Sequence, residues 1–183
     1  MVTPQSVVGF WCDAGPKQWF RRDLGFDDQI RVAFEGAHLQ AARGAFDAWR
    51  DHRAGALALL LLLDQFPRHI YRGTAQAFAA DPRARQVAES ALANGFDLAS
   101  PVVLQPFFYL PFEHHEDAAS QARAVELFTG YTERSDDTSY LRFAVLHAEL
   151  IARFGRFPHR NDLLGRVSTP EELDYLAQGG FRG

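Results

Sequence analysis

The stretch Arg53-Ala54-Gly55-Ala56-Leu57-Ala58-Leu59-Leu60-Leu61-Leu62-Leu63-Asp64-Gln65-Phe66-Pro67-Arg68-His69 decides the class of fold. From Ala54 to Gln65 it is almost entirely Leu and Ala, with no β-branched residue. Such residues favour helix, and the run is longer than an ordinary strand. It predicts a buried helix, and it is too short to span a bilayer. Pro67 is expected to stop it, because proline has no N–H for the helical ladder.

Helical signals continue on both sides. Thr3-Pro4 reads as a cap followed by proline at the first helical position. From Phe26-Asp27, the residues Ile30, Ala33, Phe34, Ala37, His38 and Ala41 recur at helical spacing until Gly44. Asp81-Pro82 starts another helix and Asn94-Gly95 ends it. Pro111 is expected to end an element. Glu116 to Tyr131 and Thr138 to Phe154 form two long helices, and Thr169-Pro170 starts a short one that Gly179-Gly180 closes. Val102-Val103-Leu104 is the one strand-like patch, and prolines flank it. The expectation is an all-α chain of about eight or nine helices in a single domain over residues 1–183, with no linker or low-complexity tract.

Composition narrows the functional classes. Sixteen Phe and three Trp supply ample core material. The aromatic crowd from Phe10 to Trp49 reads first as packing. A net charge of −4 does not point to nucleic acid, which attracts clustered positive charge. Cys12 is the single cysteine, so no internal disulfide and no Cys-based zinc site can form. The start MVTPQSVVGFWC has no basic leader, and a cytoplasmic protein is the simplest expectation. HExxH, Gly-x-Ser-x-Gly, a glycine-rich phosphate loop and a paired Glu-x-x-His are all missing. No pattern calls for a cofactor or a metal.

One internal echo stands out. The buried helix runs into Phe66-Pro67-Arg68-His69, and a later helix runs into Phe157-Pro158-His159-Arg160-Asn161, with 91 residues between the prolines. Each corner trails cationic side chains. Asp64 must find a partner if it is buried, and Arg68 lies one helical turn on, with Arg153 or Arg156 as other candidates. His147 falls on the apolar stripe of its helix between Phe143 and Ile151, where burial and neighbours tune an imidazole. Arg153 to Arg166 carries four arginines against Asp162, a local net charge of +3 interleaved with Phe154 and Phe157. Guanidinium groups anchored in this way favour carboxylate or phosphate.

These same residues carry a resemblance. Leu62-Leu63-Asp64-Gln65-Phe66-Pro67-Arg68, Tyr109-Leu110-Pro111 with His114-x-Glu116-Asp117, and Arg153-Phe154-Gly155-Arg156-Phe157-Pro158-His159-Arg160-Asn161 resemble the bacterial family called domain of unknown function 924. The likeness spans nearly the whole chain. It implies an all-α fold like the tetratricopeptide-repeat superfamily, and it brings no established activity. It marks Asp64, Gln65, Arg68, His114, Glu116, His147, Arg153, Arg156, His159, Arg160 and Asn161 as family positions. His69 stands where the family usually has Asn.

The functional expectation is a pocket for a small anionic ligand. Asp64, Gln65, Arg68, His114, Arg153, Arg156, Arg160 and Asn161 would line it, with His147, His159 and Glu116 as candidate acids or bases. A helical scaffold gripping a peptide carboxylate is the second reading. A metal-dependent hydrolase using His114, Glu116, His147 and His159 is the third, and the nearby arginines weigh against it by repelling the ion.

Overall fold

The computed structural model describes residues 1–182. Among these all regular structure is helical, with no strand. Helices α1 (Pro4–Ala14) and α3 (Leu24–Ala42) begin at side-chain caps, Thr3 and Asp23; the short α2 (Pro16–Trp19) lies between them. Each cap satisfies an N–H that the first helical turn would otherwise leave bare.

The Leu-rich stretch forms α4 (Arg53–Leu60), a π turn (Leu61–Gln65) and α5 (Phe66–Ile70) in unbroken succession. Pro67 therefore does not stop the helix. A π turn precedes it instead, with the Phe66 N–H donating to the Leu61 carbonyl, one residue beyond the α register. The wider turn relieves the clash between a proline ring and the carbonyl four residues back. It also leaves the Leu62 carbonyl without a backbone donor, because Pro67 has none to give. Nδ1 of His38 lies 2.8 Å from that carbonyl and takes the place. From Leu57 to Leu63 no residue is more than 3% exposed. Trp11 and Phe34 pack on Phe66 of this rod, and Phe107 packs on Trp11.

Helix α6 (Asp81–Ala93) starts where Asp81-Pro82 predicts. Asp81 makes no cap, however; its carboxylate turns to Arg68 instead. Val102–Leu104 is a 3-10 turn rather than a strand. In α7 (Pro106–Glu113) all eight residues are buried, and Pro111 sits inside the helix. Packing on every side holds this helix despite the missing donor. Helices α8 (Ala118–Ser135, capped by Asp117) and α9 (Ser139–Phe154) form a hairpin turned by Asp136 in the left-handed conformation, φ 59°. Helix α10 (Pro170–Ala177) begins with a reciprocal Thr169/Glu172 cap. Counted as continuous rods, these make nine helices among the described residues. A second, smaller core joins Leu150, Ile151 and Phe157 to Phe154, Tyr175 and Phe181.

Candidate functional site

The two Phe-Pro corners meet. Arg68 donates from Nη1 to Oδ1 of Asp81 at 2.9 Å and from Nη2 to Oδ2 at 3.0 Å. Arg160, on the 3-10 turn Pro158–Arg160, stands 3.7 Å from the same carboxylate and donates to the His114 carbonyl at 3.0 Å. Both guanidinium groups lie over the ring of Phe78, at 5.8 Å and 4.4 Å from its centroid, and Arg160 also covers Phe157 at 4.5 Å. Burial and the charge of Arg68 push the Arg160 guanidinium down to about 10.

Asp64 sits in the π turn beside this pair. Its Oδ1 receives His114 Nδ1 at 2.7 Å and faces Arg68 Nη1 at 3.1 Å, and its Oδ2 accepts from Gln65. Burial alone would raise this carboxyl; Arg68 and His114 outweigh it and hold it well below the usual carboxylate range. Asp64, Gln65, Arg68 and His114 thus tie α5 to the end of α7, with Asp64 as their common anchor.

Around Phe157 the polar groups are less well matched. His147, on α9, has Nδ1 2.7 Å from Oε1 of the buried Glu113, out of line for donation, so neither ring nitrogen completes a hydrogen bond. Oε2 of Glu113, Nδ1 of His159 and Nε of Arg160 are buried without partners among the described residues. Burial, then Arg160 and His147, push the His159 imidazole down to about 4, so it is neutral at pH 7. Phe181 closes over both histidines, its centroid 4.8 Å from that of His147 and 5.2 Å from that of His159.

The other expected residues have partners elsewhere. Glu116 takes two bonds from Arg166, at 2.5 Å and 2.9 Å, and one from the Phe157 N–H at 2.7 Å. Arg156 forks onto Glu172 at 2.7 Å and 2.8 Å, and the Glu172 carboxyl is held at about 2 mainly by that hydrogen bond. Asn161 donates to Glu172 and Ser168 and accepts from Arg166. The exposed Arg153 pairs with Glu171. The second corner thus offers Arg160 to the shared cluster, while Arg153 and Arg156 fasten α10. His69 bridges Asp27 at 2.7 Å and the Trp19 carbonyl at 3.1 Å, so it braces α5 against α3.

Glu113, Phe78 and Phe181 escaped the sequence reading. Glu113 had a signal, as the lone acid closing the wholly apolar helix α7. Phe78 and Phe181 had none beyond being aromatic. Two open clefts lie away from the cluster, one of about 540 Å³ lined by Arg85, Phe112 and Arg123 and one of about 250 Å³ beside His38 and Tyr71. Among the described residues no group of three or more His, Cys, Asp or Glu is placed to hold a metal ion, and no helix is long and apolar enough to cross a membrane.

Fold and cluster together define an all-helical protein with a buried Arg/His/carboxylate centre where two Phe-Pro corners converge. The chain belongs to the bacterial proteins of unknown function, DUF924, whose family model matches residues 7–180. It is similar to a protein of unknown function from Agrobacterium tumefaciens whose structure is solved. The two are 46% identical, with a TM-score of 0.90, over 96% of this chain and 97% of that one. No curated protein matches the chain.

Proposed function

We propose that Arg160, His159 and His147 bind a small anionic ligand, with His147 as the acid or base where chemistry follows. The observation that supports this reading is the state of Arg160. It is 7% exposed, its ion pair with Asp81 is long, and the carboxylates that act on it, Asp81, Glu116 and Asp64, are each engaged by another arginine. A buried cation without a full counter-charge is costly, and an incoming carboxylate or phosphate oxygen supplies that charge. The unpartnered Nε of Arg160 and the neutral His159 ring add donors in the same region.

His147 has a buried carboxylate beside it: Oε1 of Glu113 lies 2.7 Å from Nδ1 without a completed hydrogen bond. A turn of the ring that aligns the two on ligand entry would orient Nε2 toward a substrate proton.

Titration with inorganic phosphate, followed by calorimetry and by imidazole NMR signals, tests the reading. Wild type is expected to bind, Arg160→Met to lose affinity by about tenfold or more, and Arg160→Lys to fall between them. Equal affinity in all three overturns it. Binding of a peptide carboxylate that survives Arg160→Met, but not removal of Arg85 and Arg123, favours the peptide scaffold and its larger cleft.

A further inference from the structure

We propose that Phe181 occupies the ring subsite of the ligand, so that the site takes an aromatic carboxylate and opens when Phe181 withdraws. The inference rests on the anion site proposed above and adds the class of the anion. Phe181 lies in a slot built of rings. His147 and His159 meet it edge-on at 66° and 84°, and Phe143 lies 6.4 Å away, half exposed. Phe157 forms the floor, 5.1 Å from His147 and 5.6 Å from His159, and it also carries the Arg160 guanidinium. The place where a planar ring fits therefore adjoins the place where an anion is wanted. A flat molecule with a carboxylate on its edge satisfies both at once.

Phe181 is suited to leaving. It follows α10 and a glycine pair, Gly179 having φ +84°. Its own backbone tie is one N–H bond to the Tyr175 hydroxyl at 2.8 Å. Its ring belongs to the small second core, and it is only half-buried there. The ring of Phe181 also offers no acceptor to Nε2 of His147 or Nδ1 of His159, both of which are buried without partners.

The test compares wild type, Phe181→Ala and Phe181→Leu, with benzoate, acetate and toluene as probes. Far-UV circular dichroism checks that each variant is folded. Phe181→Ala is expected to bind benzoate about tenfold tighter than wild type does, and about tenfold tighter than it binds acetate. Phe181→Leu, which refills the slot, is expected to behave like wild type. If acetate and benzoate bind Phe181→Ala alike, the ring subsite is wrong while the anion site stands. If toluene binds as well as benzoate and acetate not at all, the slot is real, but the anion site falls and the carboxylate specificity with it. A folded Phe181→Ala that binds none of the three overturns both.

Discussion

Arg68 and Arg160, one from each Phe-Pro corner, share the carboxylate of Asp81 and the ring of Phe78. They share them unequally. Arg68 makes a two-pronged bond and also braces Asp64, whereas Arg160 stands at 3.7 Å with its Nε unpartnered. Arg68 is fully engaged by carboxylates, whereas Arg160 is held by the His114 carbonyl and the rings of Phe78 and Phe157.

This inequality separates two variants. Arg68→Met leaves Asp64 and Asp81 buried without their main cation, and a loss of about 3–5 kcal/mol in unfolding free energy is expected. Arg160→Met removes a poorly matched buried charge and is expected to change stability by no more than about 1 kcal/mol. Urea denaturation of both proteins checks the contrast.

Acid should weaken the protein through Asp64 and Glu172. Both carboxyls are held below their ordinary values, Glu172 at about 2. In the unfolded chain they take up protons at about pH 4. Their stabilisation is therefore complete above that pH and is lost as pH falls toward 2. Glu172→Gln should flatten this limb, and it should fray α10 first, seen as faster amide exchange over residues 170–177.

A second loss, at higher pH, comes from His159. Its folded value is about 4, so between about pH 6.5 and 4 the unfolded chain binds the proton and the native one does not. Stability should fall as pH drops through that window, by on the order of 3 kcal/mol for this group. His38 and His69, also pushed down chiefly by burial, add to the same slope. His159→Gln should remove its share in thermal melts taken from pH 7 to pH 4.

Two glycines in helices should respond oppositely to alanine. A Cβ on Gly55 would lie 2.2 Å from the Trp49 carbonyl oxygen and 2.9 Å from its carbon, and backbone cannot step aside cheaply. Gly55→Ala is expected to cost about 1–3 kcal/mol despite alanine's better helix propensity. Gly36, inside α3, has nothing within 4 Å of its would-be Cβ, and Gly36→Ala should stabilise by about 0.5–1 kcal/mol. Melting temperatures of the pair decide it.

The helices were legible because periodicity, caps and glycines act locally: Thr3, Thr169, Asn94 and Gly44 mark ends close to where they fall. Pro67 and Pro111 misled for a tertiary reason. A π turn and His38 relieve one, and full burial of α7 holds the other. The meeting of the corners was visible in the Phe-Pro echo, but not which arginine would arrive. Phe157 and Pro158 turn the chain so that Arg160 points to Asp81, while the Thr169/Glu172 cap captures Arg156. That choice depends on a glutamate whose role is clear only once α10 has docked.

The most direct test of the central claim is a crystal of the wild-type protein soaked in selenate, with data collected at the selenium edge. An anomalous peak is expected within about 4 Å of the Arg160 guanidinium, on the side of His159. Peaks confined to exposed arginines such as Arg153, with none at Arg160, would contradict it.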